Sequence, residues 1–261
     1  MHDFKTVSLL MGMFFLAGCS RQVDVADHDV RGLLAAIRAA NTTPGPHVIR
    51  LAHRGLYVLS ESAEPGLLLP TVRSDLVIEG DGSEIRGYSG EKLALLQVEK
   101  GSQLTLDKLS LAEGSDGAIR NFGTLHLNEV RVTDSTGSRI SAIVLNHGRL
   151  DARNSEIAYN TISIAQRDAG TVLNYGDIEL DGTSIHDNRA STKYPGQATA
   201  GGVLNFGSLR IDGLQLQDND AEGAGDALDF PGILNVGNGV VEGKTDRGTV
   251  REATALADLG R

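Results

Sequence analysis

The interval from Asp151 to Glu179 is the same as that from Asn146 to Asn174. If the chain retraces its path over that interval, the two carboxylates become neighbours in space. A carboxylate pair about 5 to 5.5 Å apart is the arrangement of a retaining glycosidase, in which one group attacks and the other donates a proton. Like charges so placed would raise one pKa and keep that acid protonated. Arg210 comes next in the series, as Asn205 follows Asn174, and would set a cation beside the pair. Asp151, Glu179 and Arg210 are therefore the candidate catalytic set. The competing reading is a solvated face on which Arg153 and Arg210 neutralise the two acids. His126 precedes Asp151 as Asn121 precedes Asn146, so it extends the column and is a candidate ligand-binding residue. So are Arg189, Lys193 and Tyr194, because Arg189 to Gly201 is the longest irregular connection and surface loops carry specificity.

Other chemistries find less to work with. Asp218, Asn219, Asp220, Asp226 and Asp229 surround Gly223-Ala224-Gly225, but a hard cation wants six or more oxygens and the string occurs once. Gly239 to Thr245 nearly spells a phosphate loop, one residue short and with Asn238 where the first glycine belongs. No zinc-protease or serine-hydrolase motif occurs, and the single cysteine allows no disulfide within the chain. No metal and no cofactor are expected. With 24 basic and 34 acidic residues the net charge is −10, which repels a phosphate backbone and argues against nucleic-acid binding.

What would position the candidate residues is a repeat. A short apolar block ending in asparagine recurs at Asn121, Asn146, Asn174, Asn205 and Asn235, at close but unequal intervals. After each of the first four comes a second pattern, for example Leu125, Leu127, Val130 and Val132, or Ile178, Leu180, Thr183 and Ile185. Alternation at period two means strand, and the two-residue slip between the pairs means a corner. One such unit cannot bury its apolar face, so the units must stack, each strand pairing in parallel with its copy one coil along. The expected fold is all-β: a right-handed parallel β-helix over residues 46–241, with about seven or eight coils rising ~4.8 Å each. Val30, Leu33, Leu34 and Ile37 mark one face of a capping helix over 29–41, begun by Asp29 and ended by Asn41. Residues 242–261 are expected as a C-terminal cap or tail, with Val250, Ala253, Leu256 and Leu259 at helical spacing.

A buried asparagine in every coil is costly unless its amide is satisfied, and stacking in register lets each amide bond to the next as a ladder. A second ladder is expected at Asn160, Asn188 and Asn219, with Ser135 as its first rung. Each member follows its partner in the first ladder by one constant interval. The return stretches differ in length, from the short one between Ser135 and Asn146 to the long one between Asn188 and Asn205, so length variation falls on one edge. Leu145, Leu173, Leu204 and Leu234 before the first ladder, and Phe122, His147, Tyr175, Phe206 and Val236 after it, would both face outward. Together they would form an apolar stripe suited to docking or to cover by a terminal segment, unless the corner geometry tucks one of the two columns inside as core.

Two resemblances follow from these residues. Leu16-Ala17-Gly18-Cys19, behind an apolar run from Val7 to Ala17, resembles the lipobox of bacterial lipoproteins. It implies a leader at 1–18, lipidation of Cys19, a linker over 19–28 and attachment to the cell envelope. By the same resemblance, Ser20 fits outer-membrane delivery. The repeats, with Gly32 to Asn41 followed by Ile49-Arg50-Leu51, resemble the pectin-lyase-like β-helix superfamily. That superfamily implies polysaccharide lyases, glycoside hydrolases and epimerases, yet of the polygalacturonase-like motifs only His147-Gly148 is present. It sits where other repeats carry Phe122-Gly123 or Tyr175-Gly176. The combined expectation is a lipid-anchored envelope protein that binds or scaffolds a polysaccharide or envelope partner. Enzymatic cleavage of a glycan and a purely structural or adhesive role are the alternatives.

Overall fold

The computed structural model describes residues 21–139, 141–164, 168–193, 195–224, 228–243 and 249–253. The expected leader, Cys19, Tyr194, Asp226, Leu256 and Leu259 lie outside them. The chain is a parallel β-solenoid of about eight turns with one short helix near its start.

Each regular coil has four faces. In one coil the first face is Arg149–Arg153, the second Glu156–Ala158, the third Thr161–Ile164 and the fourth Ala169–Asn174. Every one pairs in parallel with its equivalent in the next coil, so Asp151 lies opposite Glu179 and Asn174 opposite Asn205. In the earlier coils the first two faces merge into single long strands, Asp75–Gly87 and Gln103–Ala112. Strict alternation explains the first face: Leu125 and Leu127 are fully buried inside, while Thr124, His126 and Asn128 look out. The enclosed core is a continuous aliphatic column from Ile49 to Ile233.

The corner after the first face is built by a residue in the left-handed region, at Lys108, Glu129, Asn154, Gly182 and Gly213 in successive coils. A second such bend recurs at Asp134, Tyr159, Asp187 and Asp218. For a residue with a Cβ this conformation costs about 1 to 2 kcal/mol. Local bonds offset it: the Ser155 hydroxyl accepts from the Val130 amide at 3.1 Å and donates to the Arg153 carbonyl at 2.9 Å. Between the fourth and first faces the coils approach so closely that a Cβ at Gly148, Gly176 or Gly207 would overlap the carbonyl oxygen of the glycine one coil back. Only glycine fits there.

The helix spans Val30–Thr42, and the Asp29 carboxylate accepts from the Gly32 amide at 2.8 Å. Its buried residues Leu33, Ala36, Ile37 and Ala40 join Val25, Ile49 and Tyr57 to close the first coil. Asn41 does not end the helix. Its amide donates to the Thr71 carbonyl and its oxygen accepts from the Arg73 amide, both at 2.7 Å, tying the helix to the next turn.

Two boundaries are corrected. Part of the expected linker, Arg21–Val25, is a strand paired with His47–Leu51, because Val25 packs into the core and the strand's backbone finds a parallel partner there, making it the terminal edge of the sheet. Val250–Ala253, expected at helical spacing, is a strand that continues the fourth face beside Ile233–Val236. There Val250 packs on the core and Glu252 meets the ladder, which a helix at that place would forgo. The solenoid therefore runs past residue 241.

Candidate functional site

Asparagine amides run along the inside of the stack. The Asn121 amide donates to the Asn146 side-chain oxygen at 2.7 Å, and the pattern continues through Asn174 and Asn205 to Asn235 at 2.7 to 2.8 Å. Asn235 donates in turn to the Glu252 carboxylate at 2.7 Å, so the last amide is not left without an acceptor. In the second ladder Asn160 donates to Asn188 and Asn188 to Asn219, each at 2.9 Å. These oxygens also accept backbone amides, as Asn160 does from Ser135 at 2.9 Å. Both ladders are structural, and they fix which outward side chains become neighbours.

On the first face this register brings His126, Asp151, Glu179 and Arg210 into one column. The like-charged pair is not left alone. Arg149, two residues before Asp151, grips both Asp151 oxygens at 2.8 and 3.1 Å and reaches Glu179 at 3.3 Å. His126 Nδ1 lies 3.2 Å from Asp151 on the other side. The Asp151 carboxylate in turn raises the Arg149 pKa. Arg149 thus takes the acids in place of the expected Arg153 and Arg210, and Arg210 pairs with Glu242 at 3.1 Å. A side chain two residues back on the same strand points the same way, so the column beside the acids supplies the nearer cation. The depression around Arg149, Asp177, Glu179 and Arg210 measures about 270 Å³.

A larger cleft of about 700 Å³ lies along the corner between the first and second faces, crossing three coils. Glu156 is its centre: Arg131 meets one oxygen at 2.6 Å and His186 Nε2 the other at 3.0 Å. His186 Nδ1 lies 2.7 Å from Asp187, and Tyr159 meets the imidazole edge-on at 5.6 Å. Tyr159 sits on a left-handed bend and is 53 % exposed, which sets an aromatic ring at the rim of a charged cleft. Sequence reasoning singled out none of these residues. The second-face column Arg131, Glu156, Ser184 was available, but His186 belongs to the neighbouring column.

The remaining candidates do not join either place. Arg189 begins a third-face strand and pairs with Glu222 at 2.6 Å and Asp220 at 3.6 Å. Lys193 is exposed on the connection that follows. Around Asp218-Asn219-Asp220, the Asn219 oxygen is taken by the ladder. Among the described residues no cluster of three or more His, Cys, Asp or Glu is placed to hold a metal ion.

The expected apolar stripe divides. Leu173, Leu204 and Leu234 are buried in a second small core with Ala142, Ala198 and Ala200, which lie at the starts of fourth-face strands, and with Phe230, which pairs beside Ala200. The other column is a ring stack: Phe122, His147, Tyr175 and Phe206 lie 4.9 to 5.3 Å apart with planes within 11°. Burial in this stack lowers the His147 pKa, and His147 takes the place of a repeat aromatic. Rings stacked along the coil axis turn their edges outward, so the stack offers no platform for a sugar face.

Comparison with known proteins adds nothing to this geometry: no family model, no curated protein and no solved structure matches the chain. Among the described residues no helix is long and apolar enough to cross a membrane.

Proposed function

We propose that this is an exported bacterial envelope protein, lipid-anchored through Cys19, that binds an extended polysaccharide along the corner cleft. The observation that carries the reading is the cleft itself, an open groove over three coils with Arg131, Glu156 and His186 joined across it and the exposed Tyr159 ring set against His186. A groove that crosses successive coils suits an extended polymer, and mixed charge suits a neutral or zwitterionic glycan better than a polyuronate. Binding is favoured over cleavage because Arg149 bridges the two candidate acids, contacting Asp151 through both oxygens and Glu179 through one, which makes the pair part of an ion-paired surface.

The test is titration of the protein with soluble fragments of envelope polysaccharides. Truncating Glu156 or His186 to alanine is expected to weaken binding about tenfold, ~1.4 kcal/mol, while Arg210→Ala leaves it unchanged. Equal affinity in all variants would remove the cleft from the reading. Sustained glycan cleavage that disappears in Asp151→Asn would replace binding by catalysis.

A further inference from the structure

The two ends of the solenoid differ in charge, and the difference follows the chain. Residues 21–59 carry five arginines against three aspartates, whereas residues 205–253 carry four basic against nine acidic residues. At the first end the acids are already engaged: Asp27 pairs with His28 and accepts the Leu56 amide, Asp29 caps the helix, and Asp24 accepts from Gln22. The helix Val30–Thr42 contains no acid. It buries Leu33, Ala36, Ile37 and Ala40 against the first coil, so Arg31, Ala35, Arg38 and Thr42 form the opposite stripe. That stripe looks along the coil axis away from the stack. Arg31 and Arg38 make no ion pair among the described residues, nor does Arg21 on the edge strand.

The chain enters the fold at this end. Arg21 already pairs in register with His47, and Cys19 precedes it by two residues, a reach of at most about 7 to 8 Å. From Arg21 onward what had the look of a linker is folded, so a lipid on Cys19 would hold this end, and no other, against the bilayer.

We infer that the helix-capped end is a membrane-docking face: Arg21, Arg31 and Arg38 rest on anionic phospholipid headgroups while the acidic end projects away. Basic side chains near an anionic leaflet are attracted and acidic ones repelled, so a chain of net charge −10 gains an orientation from this segregation that its total charge would deny it. Upright docking leaves the corner cleft, which runs along the side of the stack, open to a polymer. The inference rests on the proposed anchor only for the point of tethering.

The chain has one cysteine and no tryptophan, which gives a direct experiment. The chain beginning at Cys19, which contains every described residue, is coupled through that thiol to maleimide lipid in vesicles of phosphatidylethanolamine and phosphatidylglycerol bearing brominated acyl chains. Val23→Trp and Val240→Trp variants place a single indole at either end, both positions being exposed in the fold. Their strands lie eight inter-strand steps apart, roughly 38 Å. The Val23→Trp variant is expected to lose most of its emission to bromine quenching and the Val240→Trp variant almost none. Adding Arg31→Glu and Arg38→Glu, or replacing phosphatidylglycerol by phosphatidylcholine, is expected to reduce the quenching of the first several-fold, with circular dichroism confirming the fold. Equal quenching of both ends would overturn upright docking, and quenching that ignores charge reversal and lipid charge would overturn the basic face as its cause. Whether cells lipidate Cys19 is read separately, from the mass of the N-terminal peptide, and a negative there leaves the vesicle result standing.

Discussion

From the first ladder to the second the chain takes the same number of steps in every coil, yet the way back is far longer from Asn188 to Asn205 than from Ser135 to Asn146. The constant side is held by directional contacts: amide-to-amide bonds of 2.7 to 2.9 Å and two left-handed bends per coil. On the variable side, where the return path joins the fourth face, Leu173, Leu204 and Leu234 are buried in an apolar cluster with Ala198, Ala200 and Phe230. A buried amide is satisfied only when donor and acceptor meet within a few tenths of an ångström, so every coil must present it identically. Apolar burial has no preferred direction, so loops of different length cover the same leucines. Length tolerance in this solenoid is thus a matter of which kind of contact closes each side.

The sharpest way to break the comparison is a matched pair of insertions. Two residues added after Asn154 would put the following strand out of step with both neighbours and are expected to abolish cooperative unfolding of the coils around it. The same two residues added after Pro195 are expected to cost less than ~1 kcal/mol, since loop closure grows only slowly with length. Urea melts of both would settle it, and equal losses would show that the return side is as strictly specified as the other.

Smaller substitutions sharpen the same contrast. Asn174→Gln keeps the amide but displaces it by a methylene, misaligning bonds to Asn146 and Asn205, and is expected to cost about 2 to 4 kcal/mol. Leu204→Met changes shape in the apolar cover and is expected to cost less than about 1.5 kcal/mol. Should methionine prove the costlier of the two, directionality is not what distinguishes the sides.

The smallest effect concerns His147 in the ring stack. Burial holds its folded pKa below the unfolded value of about 6.5, so the unfolded chain takes up its proton first as the solution is acidified. Its contribution is complete above pH ~6.5 and is lost as the pH falls from there through the folded pKa. Thermal melts at pH 7.5 and 5 should therefore fall further apart in the wild-type chain than in His147→Phe, which keeps the stack without the titration. An unchanged difference would mean that the stack does not oppose protonation.

How much of this was legible depended on periodicity. Asn146 and Asn174 announce their pairing because the same interval relates Asp151 to Glu179 and Leu150 to Ile178, so fold and register could be read together. Arg149 was missed as the partner of Asp151 because a register lists which residues stand opposite, not how far a long side chain leans along its strand. The cleft around Glu156 was missed for a related reason. His186 reaches diagonally across its rung, past Ala158, whose small side chain leaves the way open. The cover formed by Ala198, Ala200 and Phe230 was missed because it lies in register beyond a break: Ala200 stands opposite Gly170 and Phe230, but the pairing shifts between Gly170 and Val172.

The sequence by itself determined the stacking, the two ladders and the helix at the entry. Each is a repeated or local pattern, and a repeat converts spacing along the chain into adjacency in space. Tertiary structure alone decided which cations meet which acids, which half of the apolar stripe is covered, and that Arg21–Val25 is strand rather than tether. Those outcomes depend on side-chain reach, on a break in strand register and on a single terminal strand outside the repeats, and none of these leaves a period to be read.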